Sequence, residues 1–220
     1  MRIFPLGESA LTIELGNEIS IELNKRAIEL CAHISAQAFP GMIEAVPAYS
    51  SVAVFFDPLA VGQAFARSPH SAVETIARER LASLTATLNE IGRTIEVPVR
   101  FDAESSPDLD LVCDFSGLST EDAIDVFLGR IYKVFMLGFL PGFAYMGEVD
   151  DRIAAPRLST PRTRVPAGSV GIAGDQTGIY PVSSPGGWNV IGRTDLSIFD
   201  RDATPPCLFR PGDAVRFVRS

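Results

Sequence analysis

The most informative stretch of the chain, residues 161 to 174, is made largely of prolines, glycines and two arginines. It reads Pro161-Arg162-Thr163-Arg164-Val165-Pro166-Ala167-Gly168-Ser169-Val170-Gly171-Ile172-Ala173-Gly174. Turn-forming residues at this density predict short strands, and no helical period runs through the stretch. Its three glycines are spaced like a phosphate loop, but the closing Lys and Ser/Thr pair and the following helix are missing. We interpret them as turns in tight β-structure, with a backbone nest for an anion as the alternative.

The two arginines of this stretch form a candidate anion site. Arg162 and Arg164 are two positions apart, so the alternation of a strand would place both side chains on one face. Pro156, Pro161 and Pro166 restrict the backbone around them, so little freedom is left to lose on binding. Paired guanidinium groups suit a carboxylate or a phosphate. The alternative is that both are ordinary solvated surface arginines.

Aromatic and amide side chains flank the arginines on both sides. Upstream, the segment from 138 to 147 carries aromatic residues around a stiff Pro-Gly turn, which predicts an apolar wall that keeps its shape without ligand. Downstream, amide and phenol groups offer directional hydrogen bonds. Core packing is the alternative for the aromatic residues, above all for the single tryptophan. With Arg162 and Arg164, the candidate binding residues are Pro141, Phe143, Ser169, Gln176, Tyr180 and Trp188.

The composition and residue pattern of the sequence change near residue 92, which predicts two domains. In residues 1–92, strand patterns at 10–15, 43–46 and 52–56 alternate with helical patterns at 20–34 and from Ser71 to Leu88, where Ser71 and Glu74 have capping-box spacing. This order predicts a small α+β domain, an antiparallel sheet with two helices. Residues 93–220 contain a strand at 95–99, a helix at 120–127 and then short strands at 132–136, 170–173, 189–191 and 214–218, which indicates a β-barrel or sandwich with long loops.

Composition and charge exclude several classes of function. The net charge of −8 argues against nucleic-acid binding, although the segment between Asp151 and Asp175 contains only basic charged residues. The two histidines and three cysteines have no metal-ligand spacing, so no metal site is evident. No apolar run is long enough to cross a membrane, and no signal peptide is recognisable at the N-terminus. We therefore expect a cytoplasmic protein.

The motifs together resemble one family. Gly-Phe-Leu-Pro-Gly-Phe from residue 138, the stretch from 161 to 174, Gln-Thr-Gly-Ile-Tyr-Pro from 176 and Ser-Pro-Gly-Gly-Trp-Asn-Val-Ile-Gly-Arg-Thr from 184 are similar to the signature of the allophanate hydrolase subunit 1 family. That family includes the B subunit of bacterial 5-oxoprolinase, an inhibitor of a sporulation histidine kinase and a domain of urea carboxylase. The resemblance implies an α+β N-terminal domain followed by a cyclophilin-like β-barrel.

The resemblance also implies a function shared with other polypeptides. It suggests a subunit, inactive alone, that works with a related second subunit and a third 5-oxoprolinase protein. Together they would open 5-oxoproline to glutamate, or hydrolyse a related amide, with ATP that this subunit need not bind itself. The arginines would then hold the substrate carboxylate or a phosphorylated intermediate, and a partner would supply the general base. The alternative is an inhibitor that binds a sensor histidine kinase through the barrel; peptidyl-prolyl isomerisation, suggested only by the barrel, ranks last.

Two departures from the family pattern bear on activity. The segment from 101 to 107, Phe-Asp-Ala-Glu-Ser-Ser-Pro, stands where a Gly-Gly turn is usual, and Phe127 stands where relatives often carry a histidine. An apolar ring at 127 removes any acid–base role at that position. These departures predict an altered substrate or a non-catalytic member.

Overall fold

The computed structural model describes residues 1–84 and 93–220, which belong to two compact units, Met1–Ile91 and Gly92–Ser220. The predicted domain boundary at 92 lies outside the described residues and stays a prediction, as does the end of the helical pattern at Leu88. Within the described part the elements are β1 (Arg2–Pro5), β2 (Ala10–Glu14), α1 (Ile21–Ala36), β3 (Met42–Ala48), β4 (Ser51–Phe56), α2 (Pro58–Phe65), α3 (Pro69–Ala82), β5 (Thr94–Val99), α4 (Leu109–Ser116), α5 (Thr120–Leu128), β6 (Ile131–Leu137), β7 (Ala144–Gly147), a 3₁₀ turn (Asp151–Ile153), β8 (Arg162–Val165), β9 (Ser169–Ala173), β10 (Gln176–Ile179), β11 (Ser184–Gly186), β12 (Asn189–Arg193) and β13 (Ala214–Arg219).

The first unit contains an antiparallel four-stranded sheet in the order β1-β2-β4-β3. Alternate residues of β2 and β4 are buried, and they pack with the apolar faces of α1 and α3 in one hydrophobic cluster. The prediction of two helices here was wrong, because the described part of this unit has three. The short helix α2 starts on Pro58, and the Asp57 carboxylate accepts hydrogen bonds from the backbone N–H groups of Leu59 and Ala60.

The start of α3 also differs from the prediction. The helix begins at Pro69, two residues before Ser71, and its N-cap residue is Ser68, whose side chain makes no capping bond. Proline fits the first helical position because its missing N–H would have no helical partner there. The proline, and not the capping-box spacing of Ser71 and Glu74, marks this boundary.

The second unit is built on a nearly closed seven-stranded sheet in the order β12-β9-β10-β7-β6-β13-β5. All its neighbours are antiparallel except β13 and β5, which are parallel. Just beyond β5, the backbone of Arg100 pairs with that of Arg193 in β12: each nitrogen donates to the other residue's carbonyl oxygen, at 2.8 and 3.0 Å. This bridge links the two edges of the sheet. The predicted barrel is confirmed in this form. Its specific likeness to cyclophilin stays a prediction.

The two faces of this sheet separate two apolar clusters. In β9, Val170 and Ile172 join the barrel core, together with residues of α4 and α5, whereas Ala173 contributes to a second cluster on the opposite face. The strands β8 and β11 form a separate two-stranded sheet beside that second cluster. The Gly- and Pro-rich stretch therefore builds both the barrel wall and the layer that covers it.

Gly168 is expected to tolerate no side chain. Its φ is +80°, and a Cβ there would lie 2.1 Å from the backbone oxygen of Thr194. Gly168→Ala should therefore lower the free energy of unfolding by about 2–3 kcal/mol, through left-handed strain and overpacking. Urea unfolding measures the loss. Gly174→Ala is the matched control, since Gly174 has φ +61° but open space around it, and an equal loss in both variants would contradict the steric argument.

Candidate functional site

The second apolar cluster is centred on the ring of Phe143. Four other aromatic rings meet it edge to face, at centroid distances of 5.7 Å for Phe139, 4.9 Å for Tyr145, 5.3 Å for Tyr180 and 5.4 Å for Trp188. Edge-to-face pairs at these distances are favourable beyond the area that they bury. We call these five rings the outer aromatic cluster; they include the predicted wall residues Phe143 and Trp188 and the predicted contact Tyr180.

Glycines make room for three of these rings. A Cβ on Gly171 would lie 3.1 Å from the Cβ of Trp188, and one on Gly178 would lie 3.0 Å from the ring of Phe143. At Gly186 the added atom would lie 2.3 Å from the Tyr180 hydroxyl. The interpretation of the glycine spacing as tight β-structure fits these contacts, because Gly171 lies within β9 and its space is filled by Trp188.

The outer aromatic cluster has a buried centre and an accessible edge. Phe143 and Tyr180 are each 1% exposed and Trp188 is 5% exposed, so these residues pack mainly on one another. Phe139 is 62% exposed and has a positive φ of 66°, a strained backbone for a bulky residue. The Arg157 guanidinium lies 5.7 Å from the centre of the Trp188 ring, within cation–π range. Ligand contact is therefore available at the edge formed by Phe139, Tyr145 and Arg157.

Arg162 is bound by an acid that lies far away in the sequence. Its Nη1 donates to Asp108 Oδ2 at 2.7 Å, and its Nη2 donates to Asp108 Oδ1. Asp108 is 1% exposed, whereas 34% of the Arg162 side chain is exposed. Sequence reasoning missed Asp108, because no acid neighbours Arg162 along the chain and the pair spans 54 positions. Arg162 and Asp108 therefore form one ion pair.

Asp108 follows the segment from 101 to 107 that departs from the family pattern. That segment folds as a turn around Asp102, whose carboxylate accepts from the backbone N–H groups of Glu104 and Ser105 and from the Ser105 hydroxyl. These bonds, above all those from Ser105, lower the pKa of Asp102. Hydrogen bonds to the Asp102 side chain therefore hold this turn together. It leads directly into Asp108 and α4.

The remaining predicted residues have different surroundings and do not form one site. Arg164 is exposed, and its Nε donates to Ser183 Oγ at 3.1 Å. Ser183 directly precedes β11, the strand that pairs with β8. Ser169 is buried and Pro141 is exposed. Gln176 starts β10, four residues before Tyr180, which is about 13 Å along an extended strand. The structure thus gathers Phe143, Tyr180 and Trp188 but places Gln176 at the other end of the strand.

Two tyrosines of the outer aromatic cluster remain protonated at neutral pH. Burial raises the pKa of Tyr180, although a backbone hydrogen bond from Trp188 and the charges of Arg157 and Arg162 oppose the shift. Burial also raises the pKa of Tyr145, again against the charge of Arg157. The Tyr145 phenol, at the accessible edge, can donate a hydrogen bond to an anion, and neither phenol can serve as a general base near pH 7.

The raised tyrosine pKa values predict alkaline destabilisation. The pKa of Tyr132 is raised by burial as well, so all three phenols lose their protons more easily in the unfolded chain. Their contribution to stability is complete below about pH 10 and is lost as pH rises through the folded values. Urea unfolding followed by Trp188 fluorescence should show a falling free energy above about pH 10, and Tyr180→Phe should flatten the fall. A free energy of unfolding that stays constant up to about pH 11 would contradict this prediction.

Phe127 lies in the barrel core and not in the outer aromatic cluster. It is 1% exposed, and its ring is 5.2 Å from Tyr132 and 4.8 Å from Phe217. The Tyr132 hydroxyl donates to the Phe127 carbonyl at 2.8 Å. Position 127 therefore serves packing in this chain, and the effect of this departure on substrate or activity stays a prediction.

Metal centres and membrane spans are not found in residues 1–84 and 93–220. That part of the chain contains no group of three or more His, Cys, Asp or Glu side chains that could hold a metal ion. None of its helices is both long enough and apolar enough for a membrane span.

Comparisons with known proteins agree with this architecture. Residues 1–209 match the family described as "Carboxyltransferase domain, subdomain C and D". The 5-oxoprolinase B subunit of Bacillus subtilis (strain 168) is 45% identical over 221 residues, which cover 99% of this chain and 92% of that protein.

Solved structures of other proteins match the fold of this chain. The crystal structure of TTHA0988 matches with a TM-score of 0.82 and 36% identity over 96% of this chain, which spans only 40% of that protein. The urea carboxylase of Kluyveromyces lactis matches in fold, with a TM-score of 0.78 and 21% identity over 99% of this chain and 21% of that one. The chain belongs to the carboxyltransferase subdomain C and D family and, within it, to the group of 5-oxoprolinase B subunits.

Proposed function

We propose that this chain is the non-autonomous B subunit of a 5-oxoprolinase-type complex, which opens the lactam ring of 5-oxoproline to glutamate with ATP hydrolysis. The observation that carries the proposal is the 45% identity to a 5-oxoprolinase B subunit over almost the full length of both proteins. The cyclophilin-like character of the barrel and a cytoplasmic location belong to the same proposal.

The chemistry of the outer aromatic cluster supports a binding role. 5-Oxoproline carries a carboxylate on a compact lactam ring, and the guanidinium groups of Arg157 and Arg162 lie near the rings of this cluster. Arg162 is held in one orientation by Asp108, and Arg157 lies over Trp188. Charge-assisted pairs of this kind orient a carboxylate with little loss of freedom.

Acid–base chemistry is assigned to a partner. Both histidines of the chain belong to the first unit, where His33 contacts the Ser83 hydroxyl and His70 contacts the Gly7 carbonyl. The tyrosines of the cluster have raised pKa values. We therefore assign the orientation of substrate to this chain, and the proton transfers to a related second subunit together with a third protein.

ATP is likewise assigned to a partner. The backbone N–H groups of Gly168 and Gly174 already donate to the carbonyls of Tyr180 and Ala155, at 2.8 Å each, which supports turns in β-structure over a nest for phosphate. In TTHA0988 the matching region makes up 40% of a longer chain.

Assembly and ATP consumption test the proposal. The tagged chain is expected to co-purify with the two partner proteins and to consume no ATP alone, whereas the assembled proteins consume ATP when 5-oxoproline is present. ATP consumption that does not depend on 5-oxoproline, or no association with either partner, would argue against the proposal. Inhibition of a sensor histidine kinase stays a prediction from the family resemblance, which an autophosphorylation assay of such a kinase with added chain can test.

A further inference from the structure

Arg162 is bound to Asp108 through one edge of its guanidinium group. Both terminal nitrogens, Nη1 and Nη2, point to the two oxygens of one carboxylate. A guanidinium group has more N–H donors than one carboxylate can use, because Nε–H and an outer N–H lie on another edge. That second edge can form an equivalent two-bond pair with another anion. A third of the Arg162 side chain is exposed, so part of this side chain is accessible to solvent.

Asp108 is fixed by the barrel and does not depend on Arg162 for its position. Its Oδ2 accepts the backbone N–H of Val190 at 2.7 Å, and its own backbone N–H donates to the Val190 carbonyl at 3.0 Å. Its neighbour Leu109 starts α4, which packs in the barrel core. A carboxylate anchored on both its side chain and its backbone gives the arginine a rigid point of attachment.

The burial of Asp108 indicates a role in geometry more than in net charge. An anion site built only for attraction would leave the arginine without a neutralising partner, whereas here a carboxylate that is 1% exposed compensates the charge of Arg162. Buried ion pairs contribute little to stability compared with well-packed apolar residues, and their best-attested benefit is the fixing of one arrangement. The pair joins β8 to the start of α4 and to β12, beside the outer aromatic cluster.

We propose that Asp108 is a positioning residue: it holds Arg162 by one edge so that the adjacent edge, formed by Nε–H and an outer N–H, binds the carboxylate of the substrate. The identity of that substrate rests on the proposed function, whereas the orienting role of Asp108 does not. The ligand class is a small carboxylate attached to a compact ring, which would extend along the accessible edge of the outer aromatic cluster.

A binding experiment on the full chain separates these two statements. Protein labelled with ¹⁵N-arginine is titrated with 5-oxoproline and, separately, with acetate, and the Nε–H resonance of Arg162 is followed. We expect a saturable shift in the wild type, the same shift in Glu121→Gln, and an affinity at least about tenfold lower in Asp108→Asn. Glu121 is the matched control, because it pairs with Arg219 in the same unit, at 2.6 Å, and contacts neither Asp108 nor Arg162.

Each outcome decides one statement. A shift with acetate but none with 5-oxoproline supports the positioning role and contradicts the proposed substrate. No shift with either probe, or equal affinity in the wild type and Asp108→Asn, overturns the positioning role. Trp188 fluorescence checks that the variant is folded; if Asp108→Asn is unfolded, Asp108→Glu, which keeps the charge but displaces the arginine, replaces it with the same expected loss of affinity.

Kinetics of the assembled complex provide a second test of the positioning role of Asp108. Asp108→Asn is expected to raise the KM for 5-oxoproline at least about tenfold while the KM for ATP stays unchanged. In an Arg162→Lys background, where the fork is already lost, the same substitution should change the KM less than about twofold. Equal effects in the two backgrounds would show that Asp108 acts independently of Arg162 and would overturn the proposal.

Discussion

Phe143→Ala is expected to lower the free energy of unfolding of the second unit by about 3–5 kcal/mol. The ring is 1% exposed and contacts four other aromatic rings, so its removal leaves a cavity at the centre of the outer aromatic cluster. Urea unfolding followed by tryptophan fluorescence is the measurement, because the single tryptophan of the chain, Trp188, belongs to the same cluster.

Phe139→Ala is the matched control for this prediction. Phe139 is the same residue type in the same loop, but it is 62% exposed and contacts only the edge of the cluster. Its loss should cost no more than about 1 kcal/mol, the value of one aromatic pair. Similar losses in the two variants would mean that Phe143 is not the centre of this layer.

Arg162→Ala is expected to lower kcat/KM for 5-oxoproline in the assembled complex by about 100- to 1,000-fold, or about 3–4 kcal/mol of transition-state stabilisation. The physical reason is the loss of a two-bond, charge-assisted contact whose geometry Asp108 has already fixed. The initial rate of glutamate formation over a range of 5-oxoproline concentrations measures it.

Two further variants make the result for Arg162 interpretable. Truncation to alanine leaves Asp108 buried without its cation, which destabilises the fold, so Arg162→Lys provides a version that keeps the charge and loses the fork. Arg219→Ala removes an exposed arginine from a pair with Glu121 in the same unit and should leave the rate unchanged. A rate for Arg162→Lys within about twofold of the wild type would show that the fork is not used.

The architecture of the second unit follows from the sequence more directly than its details. Short apolar segments between Gly and Pro residues predicted strands such as β6 and β13, which the structure confirms. The short helices α2 and α4 were missed, because each has only eight residues and neither shows a long apolar period. Short helices depend on tertiary packing, which a local pattern does not contain.

The candidate site illustrates the same limit. The residue types of the site were visible in the sequence, and Phe143, Tyr180 and Trp188, each adjacent to a strand end, lie in one cluster. Asp108 was hidden, since its pairing with Arg162 depends on the closure of the barrel and not on any local spacing. The sequence shows a phenylalanine at position 127, but only the fold shows that this position belongs to the barrel core.

The most direct test of the proposed function is the rate of glutamate formation from 5-oxoproline by the three purified proteins in the presence of ATP, measured with this chain and with this chain omitted. We predict glutamate formation with ATP consumption when all three proteins are present, and no detectable glutamate when this chain is left out. Glutamate formed at the same rate without this chain, or none formed with it, would contradict the proposed function.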